Sequence, residues 1–229
     1  MIEIKNVSKK YDDNIVLNNI SFNINKQEIV GLVGPNGVGK TTLIKIMSGL
    51  IEDYSGMVTL NNKEISRSDC SKIGVSIEDT VGYDKLTGFK NLKIVSDLYS
   101  NNSQDLNKIM EQVGLSEVKE KQLFKYSLGM RKRLGIAYAL LNTPHTLMLD
   151  EPVNGLDYHG VIEIRNLLLA LRDEKQMSIV ISSHMLGELE KICDKVIFLK
   201  NAQLVKVLDK IEMKEYGIEN IYEKIYSIE

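Results

Sequence analysis

Apolar residues alternate with polar ones near the start of the chain, a period typical of strands with one buried face. The alternation predicts two strands, and the compact apolar run 28–33 predicts a third, fully buried strand. Further strand-like runs follow at 56–60 and 72–77. The alternating apolar positions are Ile2, Ile4, Val7, Ile20, Phe22 and Ile24.

The pattern becomes helical from about Thr87 to Leu141 and contains no clear strand, which predicts an inserted helical subdomain. Strand-like runs then return at 146–149, 178–182 and 196–199, with helical patterns between them. Strands that alternate with helices predict an α/β fold whose mostly parallel sheet is covered on both faces. The tail from Asp209 to Glu229 predicts one or two short helices.

The third strand leads directly into a glycine-rich loop that matches the pattern of phosphate-binding loops, Gly-x-x-x-x-Gly-Lys-Thr. Glycines let many backbone N–H groups point at one polyphosphate, and the following helix adds its positive end. In this pattern Lys40 reaches the β- and γ-phosphates, and the Thr41 hydroxyl ligates Mg²⁺. The predicted nucleotide-binding residues of the loop are Gly34, Pro35, Asn36, Gly37, Val38, Gly39, Lys40, Thr41 and Thr42.

The segment after this loop predicts a helix with one apolar face, and Gly49 is placed to end it. The glycine order differs from the Gly-x-Gly-x-x-Gly of dinucleotide-binding folds, which argues against a nicotinamide enzyme. The residues predicted on the apolar face are Leu43, Ile46, Met47 and Leu50.

Two adjacent acids, Asp150 and Glu151, end the apolar strand at 146–149. An aspartate at the end of a buried strand beside a phosphate loop is well placed to hold Mg²⁺, usually through water. The next residue points the other way, so Glu151 can polarise an attacking water. Small GTPases and many kinases do not place a glutamate directly after the metal aspartate.

Composition sets limits on partners and location. The chain has 229 residues, enough for one large domain or a core domain with a sizeable insertion. Hydrophobic residues make up 43% and charged residues 26%, as expected for a globular protein. The net charge of −2 predicts no general attraction to nucleic acid, and only the short run 131–133 is basic. We see neither a signal-peptide core nor a stretch near the ~20 apolar residues of a membrane helix, so we expect a partner to provide any membrane role.

The two cysteines, Cys70 and Cys193, lie far apart in the chain and lack the spacing of metal ligands. We expect them to be reduced thiols in a reducing compartment.

Between the phosphate loop and the two acids, the run Tyr126-Ser127-Leu128-Gly129-Met130 precedes a helical pattern that Ser127 is suited to cap. With these residues the sequence resembles the ATP-binding cassette family, and the resemblance covers nearly the whole chain. The family's signature sequence lies at this place. The resemblance implies that Ser127 and Gly129 of one subunit close on the γ-phosphate held by a second subunit.

Other family elements follow in order. Asp157, in Asn154-Gly155-Leu156-Asp157, resembles the key acid of the loop through which two subunits sense each other. His184 resembles the switch histidine that contacts the γ-phosphate and positions the water. Tyr11 resembles the aromatic platform for the adenine ring.

The sequence departs from the family pattern at a few positions. Glu78 occupies the place of a usual glutamine, implied to ligate Mg²⁺ or its water, and adds a negative charge near the triphosphate. Leu128 and Met130 occupy places where the family often has Gly and Gln, and Tyr158 one where proline is common. Glu78, Leu-Thr-Gly at 86–88 and the signature together resemble the cassettes of bacitracin-resistance and lantibiotic-immunity exporters.

The resemblance implies a P-loop NTPase cassette at 1–208 with a mostly parallel core sheet and an N-terminal antiparallel β subdomain. It also implies the helical subdomain inserted at about 87–141, and leaves a short helical tail at 209–229. The implied cofactors are ATP and Mg²⁺. The implied partners are a second copy, as an ATP-dependent homodimer, and one or two polytopic membrane subunits, which would hold the chain at the cytoplasmic face of the cell membrane.

Three other functions stay open. A soluble cassette ATPase acting on ribosomes or DNA usually has two cassettes or a long coiled coil, and neither is present. A different P-loop enzyme, such as a nucleotide kinase, would not need Ser127 or the Asp150-Glu151 pair. An importer motor often carries a C-terminal regulatory domain, and only a short tail follows Leu208. Whether the dimer is homo- or heteromeric is also open, although the complete catalytic set favours two identical copies.

Overall fold

Two β-sheets and eight α-helices make up the part of the chain that the computed structural model describes, which is residues 1–66, 69, 72–77, 82–99 and 105–226. The fold is α/β with a mostly parallel core sheet, as predicted. The strands are β1 (Ile2–Tyr11), β2 (Asn14–Ile24), β3 (Ile29–Val33), β4 (Ser55–Leu60), β5 (Lys63–Glu64), β6 (Ile73–Ser76), β7 (Thr146–Leu149), β8 (Ser178–Ser182), β9 (Lys195–Lys200) and β10 (Gln203–Asp209). The helices are α1 (Lys40–Met47), α2 (Gly88–Leu98), α3 (Leu106–Gln112), α4 (Leu128–Leu140), α5 (Tyr158–Lys175), α6 (Leu186–Ile192), α7 (Lys210–Tyr216) and α8 (Ile218–Tyr226).

The core sheet has the strand order β10-β9-β3-β8-β7-β6. All neighbours from β9 to β6 pair in parallel, and β10 pairs antiparallel with β9 at one edge. In a parallel sheet the carboxyl ends of the strands meet at one edge, where ligands bind. The segments that follow β3, β7 and β8 therefore converge at that edge.

The smaller sheet is antiparallel, with the order β2-β1-β4-β5. Its first two strands pair Ile2 with Ile24 and Ile4 with Phe22. Because side chains alternate between the faces of a strand, this register puts one apolar face on the core. The predicted alternation near the start of the chain is thus confirmed as two paired strands.

Each core strand sends alternate side chains to opposite faces of the sheet. In β7, Leu147 and Leu149 belong to the core beneath the helices, whereas Met148 belongs to the core shared with α1 and the smaller sheet. In β3, Ile29 and Val30 divide in the same way. A strand buried on both faces is apolar at every position, which explains the short continuous apolar runs in the sequence.

Helix α4 is buried more widely than its sequence predicts. Ser127 caps it by accepting a hydrogen bond from the Met130 N–H at 3.2 Å, as expected. The sequence predicts one apolar stripe on this helix, at Met130, Leu134, Ala137 and Leu141, and of these Met130 is only half-buried. Beyond that stripe, the helix also buries Ile136, Ala139 and Leu140. Its sides pack on α2, α3 and β6, so more than one face must be apolar.

Leu50 does not lie on the buried face of α1, and this prediction was wrong. Its side chain is 54% exposed. The helix ends at Met47, and Gly49 takes a left-handed φ of 76° that turns the chain away. The Leu50 N–H then bonds to the Lys45 carbonyl at 2.9 Å, which closes the last turn. Gly49 therefore ends the helix, as predicted, before the apolar period reaches Leu50.

The tail forms two short helices, α7 and α8, as its pattern predicts. Asp209 and Glu212 cap α7 reciprocally. None of the described helices is long and apolar enough to cross a bilayer. The division into a cassette at 1–208 with an insertion at 87–141 stays a prediction.

Of the two cysteines, Cys193 is a free, buried thiol whose pKa is raised by burial, and Cys70 lies outside the described residues.

Leu168 on α5 provides a test of the core beneath the helices. It is 1% exposed, so Leu168→Ala should leave a cavity and lower the free energy of unfolding by about 2–5 kcal/mol. Leu98→Ala removes the same atoms from a residue that is 79% exposed and should change it by less than about 0.5 kcal/mol. Urea unfolding followed by circular dichroism measures both, and equal losses in the two variants would contradict this core.

Candidate nucleotide-binding and hydrolysis site

The loop after β3 is held between two backbone carbonyls. A Cβ on Gly34 would lie 2.6 Å from the Leu199 oxygen, and a Cβ on Gly39 would lie 2.7 Å from the Val16 oxygen. Gly39 also has a φ of 110°, which disfavours any side chain. Both glycines are therefore required by space, and the loop bends tightly into the first turn of α1.

Lys40 folds back over the loop. Its Nζ donates to the Gly34 carbonyl at 2.7 Å and lies 3.2 Å from the Pro35 carbonyl. Burial lowers the pKa of Lys40, while the nearby carboxylates of Glu151 and Asp150 act in the opposite direction. The ammonium group is thus held inside the loop, where a phosphate would lie.

Asp150 lies at the centre of a hydrogen-bond network beside this loop. The Thr41 hydroxyl donates to its Oδ2 and the Ser182 hydroxyl donates to its Oδ1. The Asp150 N–H bonds to the Ser76 carbonyl of β6 at 2.9 Å. The carboxylate is only 9% exposed, and a buried carboxylate needs such donors. The structure thus brings together Thr41 and Asp150, the two residues expected at Mg²⁺.

Ser182 is a site residue that the sequence reading missed. Its hydroxyl is fully buried at the end of β8, donates to Asp150 and accepts the Glu151 N–H at 2.9 Å. One hydroxyl therefore fixes both acids. The signal in the sequence was a polar residue that ends an apolar strand two positions before His184. This pattern is too common to indicate a functional residue.

Glu151 and His184 meet at the same edge. Nε2 of His184 lies 2.8 Å from Oε1 of Glu151, a distance typical of an ion pair. Oε1 is buried, and this ion pair is its contact, since no hydrogen bond to it is found among the described residues. The backbone of Glu151 has a φ of 49°, and its carbonyl accepts from the Lys132 ammonium at 3.3 Å. The carboxylate can therefore accept a hydrogen bond from a small molecule such as water.

The donors present fit a magnesium ion. Mg²⁺ prefers hard oxygen ligands and binds through one or two carboxylates together with substrate phosphates. The Thr41 hydroxyl and the Asp150 carboxylate supply such oxygens and touch one another. Glu78, the third predicted ligand, lies outside the described residues.

The remaining predicted residues are not joined to the loop by any described contact. Ser127 caps α4, and Asp157 caps α5 by accepting the Gly160 N–H at 2.8 Å. The nearest neighbour to a Cβ on Gly129 would be Leu156, at 3.7 Å. The signature start thus lies against the segment before α5 of its own chain.

Tyr11 lies at the end of β1, and its ring is 44% exposed. The buried Lys9 ammonium lies 4.8 Å from the ring centre. β2 returns from this hairpin and contacts the phosphate loop through Val16. Tyr11 therefore belongs to a hairpin that adjoins the loop, although no contact between the ring and the loop is described.

A phosphate loop, a buried aspartate bonded to its threonine, and a glutamate–histidine pair define a P-loop nucleotide hydrolase. Residues 17–154 match the family model for the ABC transporter domain. The chain is 37% identical to the lantibiotic transport ATP-binding protein SrtF of Streptococcus pyogenes, over 97% of this chain and 95% of that one. It is 42% identical to the bacitracin transport ATP-binding protein BcrA of Enterococcus faecalis, over 93% of this chain and 70% of that one.

Among solved structures, cbiO1 of Clostridium perfringens, part of an ABC transporter complex, superposes with a TM-score of 0.83 and 26% identity. The match covers 99% of this chain and 94% of that one. This chain therefore belongs to the ABC transporter family, as an ATP-binding subunit that hydrolyses ATP. The resemblance found in the sequence is confirmed.

Ser182→Ala tests the bridge between the two acids. We expect ATP hydrolysis to fall about 10- to 100-fold, as is typical when a residue that orients metal ligands is lost. The matched control is Ser178→Ala, since Ser178 lies on the same strand and bonds the Gln27 N–H and the Asn25 carbonyl at the far end. Both variants should lose about 1–3 kcal/mol of stability, and only Ser182→Ala should lose activity. Phosphate release and urea unfolding measure the two effects, and equal activity in both variants would contradict the bridge.

Proposed function

We propose that this chain is the ATP-driven motor of a bacterial exporter that removes an antimicrobial peptide or a similar compound, conferring immunity or resistance. The observation that carries the motor function is the network at the edge of the core sheet, in which Thr41, Ser182 and His184 surround two adjacent acids. The similarity to lantibiotic and bacitracin transport proteins supports the substrate class.

Nucleotide binding starts at the loop between Gly34 and Thr42. Its backbone N–H groups surround the phosphates, and the Lys40 ammonium neutralises the β- and γ-phosphates. The exposed ring of Tyr11 stacks on the adenine. Thr41 and Asp150 would hold Mg²⁺, and Glu78 would supply a further oxygen. Bound Mg²⁺ would neutralise charge on the phosphate oxygens during transfer.

Hydrolysis uses the two residues that follow β7 and β8. The Glu151 carboxylate accepts a hydrogen bond from the attacking water and polarises it. His184, 2.8 Å from that oxygen, contacts the γ-phosphate and keeps the carboxylate in place. Ser182 holds the Glu151 backbone, so the two carboxylates keep separate tasks.

A second copy completes the site. Ser127 and Gly129 lie at the start of α4, where Ser127 bonds Met130 and Arg131 and Gly129 lies near Leu156 of the same chain. In a head-to-tail dimer they would close on the γ-phosphate of the partner, with Asp157 close to the same interface. ATP thereby joins two cassettes, and hydrolysis separates them.

Coupling to transport requires one or two polytopic membrane subunits, which would keep this chain at the cytoplasmic face of the membrane. The segment before α2 exposes Tyr83, at 63%, and Phe124 is 53% exposed nearby. The Phe124 N–H bonds to the Asp84 carbonyl, and Asp84 pairs with Arg131 of α4. Such aromatic groups suit a groove for a helix of the partner. The partner's helix would then move together with α4 and the signature sequence.

Glu151→Gln tests the water-polarising role. We expect ATP hydrolysis to fall at least about 100-fold, since the amide is a poor base, and the ATP-bound dimer to accumulate. Glu174→Gln, on the exposed end of α5, makes the same change away from the site and should leave the rate unchanged. Phosphate release and size-exclusion chromatography with light scattering, with and without ATP, measure both properties. Normal hydrolysis by Glu151→Gln would show that the assigned role is wrong.

Affinity purification of the tagged chain from native membranes in mild detergent tests the exporter function. We expect one or two small polytopic membrane proteins to co-purify. Deletion of their genes should then sensitise cells to an antimicrobial peptide. Recovery only with ribosomal or DNA-associated proteins would leave the ATPase in place and overturn the transporter function. A partner required for uptake of a compound would indicate an importer.

A further inference from the structure

The end of α8 is bonded to the strand ends from which the phosphate loop begins. The Tyr226 hydroxyl donates to the Leu199 carbonyl of β9 at 2.7 Å and lies 3.5 Å from the Val33 carbonyl of β3. The Lys200 ammonium donates to the Ile225 carbonyl at 2.8 Å, which ties the same helix end to β9. These contacts join the last turn of α8 to residues far away in the sequence.

The two carbonyls that Tyr226 approaches flank the first glycine of the loop. Val33 directly precedes Gly34. The Leu199 oxygen lies so close to Gly34 that a Cβ on this glycine would be only 2.6 Å from it. β3 and β9 pair in parallel up to this point. The position of the Leu199 carbonyl therefore limits where Gly34 can lie, and the Tyr226 hydroxyl holds that carbonyl.

The other end of the loop rests on the same framework. Gly39 lies against the Val16 carbonyl of β2. Two residues later on β2, the Asn18 N–H bonds at 2.7 Å to the carbonyl of Ala202, in the turn between β9 and β10. The loop thus lies between the carbonyls of Leu199 and Val16, on β9 and β2, and the Asn18–Ala202 hydrogen bond joins these two parts of the structure. Tyr226 bonds to the Leu199 carbonyl.

Helix α8 also lies beside the segment after β8. A groove between α6 and α8 is lined by residues of both helices and by the predicted switch histidine. One helix therefore contacts both the start of the phosphate loop and the segment that carries that histidine. The lining of this groove includes His184, Glu188, Glu219, Tyr222 and Glu223.

We propose that Tyr226 is a positioning residue for nucleotide binding, because its hydroxyl fixes the Leu199 carbonyl against Gly34 and so sets the position of the phosphate-binding N–H groups. The inference rests on the proposed role of the loop in holding ATP. It gives α8, which lies outside the predicted cassette at 1–208, an effect on nucleotide affinity. Tyr226 does not touch the reacting atoms and acts through the loop.

The Tyr226 hydroxyl is suited to hold the carbonyl equally well over a wide range of pH. Burial, and then the neighbouring Tyr222, raise the pKa of the Tyr226 phenol. A phenol with a raised pKa stays protonated throughout the neutral and mildly alkaline range, so it remains a donor to the two carbonyls. Nucleotide affinity should therefore show no step due to Tyr226 between pH 6 and about 9.

The test is Tyr226→Phe, which removes the hydroxyl and keeps the ring that packs on Tyr222 at 4.3 Å. We expect ADP affinity to fall and KM for ATP to rise, each about 3- to 10-fold, as for the loss of one neutral hydrogen bond. At saturating ATP, kcat should stay within about two-fold. Calorimetric titration with ADP and steady-state phosphate release measure these values on the full chain.

Tyr222→Phe is the matched control, since it removes a hydroxyl from the same face of the same helix, and no hydrogen bond of that hydroxyl is described. It should bind ADP like the wild-type chain. Lys200→Met removes the second tie of the helix end and should weaken ADP binding in the same direction, which gives an independent test should Tyr226→Phe melt at a much lower temperature.

Wild-type ADP affinity in both Tyr226→Phe and Lys200→Met would overturn the inference. An equal loss in Tyr222→Phe and Tyr226→Phe, or a fall in kcat with KM unchanged, would also overturn it, since either points to general loosening of α8 rather than to the loop. These outcomes leave the proposed function intact. A wild-type chain that binds no ADP would overturn both.

Discussion

Parallel pairing of β3, β8 and β7 is the constraint on which the site depends. It brings the carboxyl ends of three strands, far apart in sequence, to one edge of the sheet. The phosphate loop, the two adjacent acids and His184 each follow one of these strands directly. The apolar residues on both faces of the strands hold the register. A slip of one residue in β7 would turn Leu149 to the opposite face and displace Asp150 from Thr41.

One buried hydroxyl, that of Ser182, contacts both acids at this edge. Two carboxylates next to one another repel, and burial of a charge is costly unless donors surround it. Ser182 offsets the burial of Asp150 by donating to its carboxylate, and it fixes the backbone of Glu151 by accepting its N–H. The carboxylate of Glu151 is then left to face His184. The adjacent acids thus have different surroundings, which is the physical basis for the different tasks proposed for them.

Helices that lie away from this edge contact it through backbone carbonyls. The signature start contacts the segment that leads into α5, and α4 reaches the Glu151 carbonyl through Lys132. The last turn of α8 holds the carbonyl that limits Gly34. A movement of α4 or α8 would therefore reach the phosphates or the acids through backbone contacts. This geometry suits a motor in which binding between subunits and hydrolysis must influence each other.

Much of the local structure could be predicted from the sequence, because its causes lie within a few residues. The apolar runs predict the buried strands, the glycine spacing predicts the phosphate loop, and Ser127 predicts the start of α4. The acids at the end of β7 could also be found, since the loop gave them a context. The exposure of Leu50 could not, because it depends on where Gly49 turns the chain.

By itself, then, the sequence determined the strands, the loop chemistry and the family, which are properties of short segments and of their order. Only the tertiary structure decided that Ser182 bridges the two acids, that Oε1 of Glu151 lies against His184, and that Tyr226 holds the strand ends beneath Gly34. The physical reason is the range of the contacts. A hydroxyl at the end of a strand or helix has no preferred partner in its own segment, and packing of the sheet and α8 selects the partner.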